Sequence, residues 1–79
     1  MRAFPNPSAD GRFALHYPAH AGVGWLEVRD IAGRMVLRER IPQWSTVHQV
    51  ELAGQAAGMY NCTLRWGVRS ISTRLIVAP

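Results

Sequence analysis

Apolar and polar residues alternate along most of this chain with a period of two. The alternation is clearest over 59–66, where every second side chain from Tyr60 to Trp66 is apolar. Successive side chains of a β-strand point to opposite faces, so this period predicts strands that are buried on one side. The same pattern predicts further strands over 12–17, 24–30, 34–41, 46–52 and 70–77.

The segment 26–36 predicts a hairpin around which the other strands pack. Apolar and charged residues alternate before the chain reverses at 30–33, and a second apolar run follows. Asp30 can accept hydrogen bonds from backbone N–H groups two residues on, and Gly33 can adopt the positive φ that a side chain would resist. We therefore expect two strands joined by a four-residue connection that sets their register.

Strand parity predicts which side chains face the core. In the strand over 59–66, Cys62 and Trp66 share the apolar parity and are expected inside. The second arm of the hairpin is ambiguous, because Val36 has the opposite parity to Leu37 and Ile41. The pattern therefore does not decide which face of this arm is buried.

No stretch of the sequence has a sustained helical period. Turn-forming residues separate the short strands at intervals of roughly 8 to 12 residues, and about six or seven strands result. The predicted fold class is therefore all-β, an antiparallel immunoglobulin-like β-sandwich. Pro-Asn-Pro at 5–7 excludes helix, so we expect a linker segment over 1–10 and the sandwich over 11–79.

Composition indicates one small globular domain. The chain has 79 residues, of which 48% are hydrophobic and 18% charged. Nine arginines against five acidic residues give a net charge of +4. The arginines are spread along the sequence, and we interpret them as solvent-facing strand positions. No apolar stretch approaches the ~20 residues of a membrane helix, and the first residues do not resemble a signal peptide.

The residue types needed for catalysis or metal binding are not grouped in the sequence. His16, His20 and His48 lack the close spacing of metal ligands, and one cysteine supplies no second thiolate. Cys62 is interpreted as a small buried hydrophobic residue, because a nucleophilic thiol needs exposure and positive surroundings. We therefore expect no enzymatic activity, no metal and no cofactor.

Arginines interleaved with tryptophans also occur in proteins that bind single-stranded nucleic acids. Here Trp66 has the parity of the core, and the aromatic motif of ribonucleoprotein domains is missing. The sequence does not decide whether Trp25 and Trp44 are buried or exposed. We therefore expect no nucleic-acid partner, and such a partner would require steeply salt-dependent binding.

Several short motifs occur in a specific order over nearly the whole chain. Pro-Asn-Pro at 5–7 precedes Gly-Arg-Phe at 11–13, the hairpin at 26–36, Gly-Met-Tyr at 58–60 and a basic-apolar end at 74–77. In this order and spacing the chain resembles the type A C-terminal sorting domains of type IX secretion substrates. The departures are a cysteine where a valine-like residue is common and an arginine where a terminal lysine is usual.

This resemblance implies a sorting signal that catalyses nothing itself. It implies an N-terminal passenger domain that is exported through the periplasm and recognised by the type IX outer-membrane translocon. A sortase-like peptidase then commonly removes the signal, and the passenger reaches the cell surface or the medium without the signal inserting directly into the membrane. The residues that the resemblance assigns to recognition, called the motif residues below, are Pro5, Asn6, Pro7, Asp30, Gly33, Arg34, Gly58, Tyr60 and Arg74.

Two further hypotheses accompany the resemblance. The module could instead be a retained immunoglobulin-like domain, structural or adhesive, that binds protein or glycan. If it is a sorting signal, an exposed edge strand or the C-terminal strand could add to a sheet of the receptor.

Overall fold

The computed structural model describes residues 1–79 as seven β-strands, and every strand pairing is antiparallel. None of its elements is a helix with the length and apolar character that a membrane span requires. The strands are β1 (Arg2–Phe4), β2 (Arg12–His16), β3 (Gly24–Asp30), β4 (Met35–Ile41), β5 (Val47–Glu51), β6 (Gly58–Trp66) and β7 (Arg69–Val77).

The strands form a three-stranded sheet, β1-β2-β5, and a four-stranded sheet, β4-β3-β6-β7. This confirms the predicted all-β sandwich, and the six strands expected from alternation lie within one residue of their predicted ends. Apolar side chains of both sheets meet between them, as in other two-sheet sandwiches. The core consists of Phe13, Leu15, Tyr17, Leu26, Val28, Ile41, Val50, Leu52, Tyr60, Cys62, Leu64, Trp66, Leu75 and Val77.

A β-bulge explains the ambiguous parity of the second hairpin arm. Val28 lies opposite Leu37, but its neighbour Arg29 lies opposite Met35. Val36 is therefore the extra residue of the bulge, which shifts the parity of β4 at this point. Val36 and Leu37 are consequently both half-buried against the core.

The segment after β1 is hydrogen-bonded to the outer edge of β7. Ser8 N–H donates to Ile76 O at 2.8 Å, and Ala78 N–H donates to Ser8 O at 2.9 Å. The Asn6 amide continues this pairing, since its Nδ2 donates to Arg74 O at 2.8 Å and its Oδ1 accepts from Ile76 N–H at 2.9 Å. Ser8 forms a single parallel bridge with Val77, and residues 5–8, which we name the N-terminal clamp, lie along the β7 edge.

The N-terminal clamp changes two expectations. The sequence predicted a linker over 1–10, but β1 pairs with β2 and Ser8 has no exposed surface. Residues 2–4 and Ser8 are thus paired with the sandwich, while most of the other residues in this segment are exposed. The C-terminal half of the β7 edge is also occupied by the chain's own N-terminus, so it is not free to add to another sheet.

Gly24 is required by close packing against Trp66. A methyl group at Gly24 would lie 2.5 Å from Nε1 of Trp66 and 2.9 Å from the carbonyl oxygen of Arg65. We expect Gly24→Ala to lower the free energy of unfolding by about 1–3 kcal/mol, because the core must move to accept the methyl group. Urea unfolding measures this change.

Gly22→Ala is the matched control for that substitution. A methyl group at Gly22 meets only the ring of His20, at 3.4 Å, so little movement is needed. Both substitutions reduce the conformational freedom of the unfolded chain equally. The difference between the unfolding free energies of the two variants therefore reports the steric cost at Gly24. Equal unfolding midpoints for the two variants would contradict the packing described.

Cys62 is fully buried and unpaired, and burial raises the pKa of its thiol to about 12 from an ordinary value of 9.0. Below pH 9.0 both the folded and the unfolded thiol hold their proton. Above it the unfolded thiol ionises first, so the free energy of unfolding should fall by up to about 1.4 kcal/mol per pH unit as pH rises toward the folded pKa.

Cys62→Val isolates this effect, because valine fills a similar volume and does not ionise. Urea unfolding of both proteins at neutral and alkaline pH measures it. We expect their difference in stability to change above pH 9.0 in favour of the valine variant. A constant difference across that range would show that the thiol is not the ionising group.

Candidate functional site

The motif residues lie at one end of the four-stranded sheet. Asp30 at the end of β3 lies opposite Tyr60 near the start of β6, and Tyr60 lies opposite Leu75 near the end of β7. Asn6 of the N-terminal clamp completes the row through its bonds to Arg74 O and Ile76 N–H on either side of Leu75. Neighbouring strands are ~4.8 Å apart, so the row spans roughly 15 Å. We call this end of the molecule the motif end.

The turn between β3 and β4 has the hydrogen bonds that its sequence predicted. Asp30 Oδ1 accepts from the N–H groups of Ala32 at 3.0 Å and of Arg34 at 2.9 Å. The N–H of Gly33 donates to the carbonyl oxygen of Asp30 at 3.0 Å, with φ of +86° at the glycine. Asp30 and Gly33 therefore shape the turn, which confirms the role in chain reversal predicted for both.

Two other side chains of this turn face solvent. Ile31 is 85% exposed, and the Arg34 side chain is 76% exposed although its Nε lies 3.3 Å from Asp30 Oδ2. An exposed ion pair of this kind contributes little to stability. Arg29 Nη1 also donates to the carbonyl oxygen of Gly33 at 3.0 Å. Ile31 and Arg34 therefore offer the large exposed side chains of the turn to a partner.

A cavity of about 320 Å³ lies between the turn 30–34 and the segment 55–60. The Tyr60 hydroxyl donates to the carbonyl oxygen of Ala56 and holds this segment against β6. Gly58 has φ of +146°, which side chains rarely adopt, and the small residues before it leave the cavity open. The cavity is large enough to accept one protruding side chain of a partner.

The 8–12 turn anchors the N-terminal clamp. Arg12 N–H donates to Asp10 Oδ1 at 3.0 Å, and the Ser8 hydroxyl lies 3.0 Å from the same oxygen and 2.9 Å from Arg12 O. These two donors, the backbone N–H of Arg12 first, lower the pKa of Asp10. Asp10 therefore orders this turn.

The histidines do not converge. His16 packs against Phe4 with ring centroids 4.7 Å apart, and His20 stacks on Trp66 at 5.2 Å. His48 Nε2 lies 2.9 Å from Oε1 of Glu39 in β4. No group of three or more His, Cys, Asp or Glu residues could hold a metal ion.

The structure separates the motif residues by what they contact. Those that shape the backbone or the core are Asn6, Asp30, Gly33, Gly58 and Tyr60. Arg34, Arg74 and the two prolines of the clamp are exposed. Ile31 was missed from sequence, although a large aliphatic residue inside a polar turn is a usable signal for a contact surface.

Fold and site together define a small β-sandwich whose distinctive residues build turns and secure a strand edge. The family model described as "Secretion system C-terminal sorting domain" matches residues 2–78. The chain belongs to this family, the C-terminal sorting domains of type IX secretion, which direct export to the cell surface or the extracellular space. No curated protein matches the chain.

Proposed function

We propose that the type IX translocon reads this sorting domain at its motif end, after a passenger carried N-terminally has crossed the periplasm. The supporting observation is that motif residues far apart in sequence lie in one row across the four-stranded sheet. Such a row offers a receptor the same surface whatever passenger is attached. In this proposal the domain supplies recognition and no catalytic step.

The exposed turn residues carry the contact. Arg34 can bind a carboxylate of the receptor through its planar guanidinium, and Ile31 can bury its side chain against an apolar surface. The cavity beside them accepts a receptor side chain. Asp30, Gly58 and Tyr60 act indirectly by fixing the turn and the cavity wall.

A sortase-like peptidase would cut before β1. Proteases bind their substrates as extended, accessible chain, whereas residues 2–4 are paired with β2 and Ser8 is hydrogen-bonded at the β7 edge. We therefore place the cleavage site on the N-terminal side of Arg2. Mass spectrometry of the released domain would give its first residue directly, and a start inside the N-terminal clamp would contradict this placement.

A reporter fusion tests the proposed function. The reporter carries an export signal at its N-terminus and residues 1–79 at its C-terminus, and is expressed in a bacterium with type IX secretion and in a strain without it. We expect reporter at the cell surface or in the medium only in the intact strain. Retention in the periplasm of both strains, with the domain shown to be folded, would contradict the proposal.

The alternative is a domain that remains attached and binds protein or glycan. One observation favours it: Trp44 is 63% exposed in the β4–β5 turn and has φ of +64°, which is unusual for a bulky residue. Exposed aromatic side chains are common at contact surfaces. Presence of the domain on the mature surface protein, together with loss of adhesion in Trp44→Ser, would support this function over sorting.

A further inference from the structure

The outer face of the four-stranded sheet collects most of the arginines. They are spread along the sequence, but each has the outward parity of its strand, and the strands are neighbours. Glu27 is the only carboxylate with the same parity in these strands. The arginines of this surface, which we name the basic face, are Arg29, Arg38, Arg40, Arg65 and Arg74.

The basic face accounts for the net charge of the whole chain. Five arginines and one glutamate give it the full +4, while the other four arginines are balanced by four carboxylates elsewhere. Two of those outlying arginines form direct ion pairs, Arg12 with Glu51 and Arg34 with Asp30. Arginines that looked scattered in sequence are thus concentrated on one side of the molecule, where their potentials add.

Neighbouring side chains hold the guanidinium groups in place. Arg65 Nε lies 2.9 Å from Glu27 Oε1, and Arg38 Nε lies 3.7 Å from Oε2 of the same carboxylate. Arg65 is the main cause of the lowered pKa of Glu27. The guanidinium carbon of Arg38 lies 3.9 Å from the ring centre of Trp25. Arg38 and Arg65 nevertheless remain 50% and 55% exposed, so they can bind a partner.

We propose that the basic face docks an acidic segment of a partner protein. Guanidinium groups bind carboxylates through two parallel hydrogen bonds, and an ordered array of them favours carboxylates at matching distances. Arg38 and Arg40 lie on the same side of one strand, about 6.8 Å apart. That distance also separates alternate residues of an extended peptide, so acidic side chains at every second position fit the array.

An acidic protein fits this surface better than nucleic acid or lipid. A base would need an open aromatic ring for stacking, whereas Arg38 already covers the ring of Trp25. A lipid surface favours protruding apolar side chains. Met59 and Ile76 are exposed on this face, but they lie near its other end, whereas Thr63 and Ser72 flank Glu27 beside Arg38 and Arg65. Arg29 and Arg74 of the basic face border the motif end, but Arg38, Arg40 and Arg65 lie away from the turn that the proposed translocon contact uses. The interaction needs only the folded domain.

Binding of fluorescently labelled poly-L-glutamate to the 79-residue domain tests the proposal. The first variant is Arg38→Ser/Arg40→Ser/Arg65→Ser, and the matched control is Arg2→Ser/Arg12→Ser/Arg69→Ser. Both remove the same amount of positive charge. We expect the affinity measured by fluorescence anisotropy to fall by about tenfold or more in the first and by about threefold or less in the control. Equal losses would show that only net charge matters and would overturn the proposal.

Two additions complete the test. Arg40→Ser alone should already weaken binding, and it breaks no ion pair, so a folding defect in the triple variant does not prevent a result. Phosphatidylglycerol vesicles and oligothymidylate serve as competing probes. Tighter binding of either one than of polyglutamate, with the same dependence on the three arginines, would overturn the assignment to an acidic protein.

Discussion

Removing residues 1–8 is expected to unfold the domain. The deletion takes β1 from its sheet and leaves β2 paired only with β5. The remaining two-stranded sheet then has to hold its place through packing against the four-stranded sheet alone. It also removes the four hydrogen bonds that the N-terminal clamp makes with β7 and Ala78, each contributing about 1 kcal/mol. A domain of this size is stable by only about 5–10 kcal/mol, so the combined loss is comparable to its whole stability.

Circular dichroism and urea unfolding of the truncated chain measure this effect. Asn6→Ala is the graded variant, since it loses only the two side-chain bonds to β7 and should cost about 1–2 kcal/mol. A passenger fused before Met1 is the matched control for a changed N-terminus, and it should leave the unfolding midpoint unchanged. Cooperative unfolding of the truncated chain near the full-length midpoint would contradict the role given to the clamp.

Tyr60→Ala is expected to cost about 3–5 kcal/mol of unfolding free energy, as truncation of large aromatic residues in other cores does. Tyr60 is only 5% exposed and belongs to the core, and its hydroxyl donates to Ala56 O. Tyr60→Phe keeps the ring and removes this one bond, so its expected cost is about 1 kcal/mol. Urea unfolding of the two variants separates the ring from the hydroxyl.

The comparison also tests the role of Tyr60 at the motif end. If the side chain contacted only a receptor, truncation would reduce export and leave stability unchanged. Because the ring is buried, we expect instead that truncation lowers the stability of the domain, and that export falls as a consequence of unfolding. A Tyr60→Ala variant as stable as the unchanged domain would show that the core does not depend on this residue.

Local pattern was enough to predict most of the strands. Inward and outward parity holds from Tyr60 to Trp66 because a half-buried strand requires it. It fails at Val36, where an extra residue in a bulge changes the parity without any turn-forming residue in the sequence. The turn at Asp30 and Gly33 was predictable because its hydrogen bonds are local.

The alternation of apolar and polar residues does not predict contacts between residues that are distant in sequence. Asn6 bonds to Arg74, which lies 68 positions away, and proline content alone indicated only a linker. The basic face depends equally on long-range pairing, because Arg40 and Arg65 flank Trp25 only when their strands are neighbours. Parity predicts that each of these side chains points outward, but strand order decides that they meet.

The motif residues came from a family resemblance, and the structure supplies their physical roles. Gly33 and Gly58 permit backbone conformations that side chains resist, while Asp30 and Asn6 satisfy backbone groups. Their contribution to sorting is therefore expected to be indirect. Arg34, with its exposed guanidinium, is the motif residue of the turn that can bind a receptor directly.

The most direct test of recognition at the motif end compares two hairpin turns at opposite ends of the same sheet. Ile31→Ser/Arg34→Ala removes the exposed pair of the β3–β4 turn. Val68→Ser/Arg69→Ala removes a fully exposed aliphatic residue of the β6–β7 turn and the exposed arginine that begins β7. The measurement is the surface-to-periplasm ratio of the fused reporter for both variants, with both confirmed as folded. We predict that the first variant is retained in the periplasm and the second is exported normally; normal export of the first would contradict recognition at the motif end.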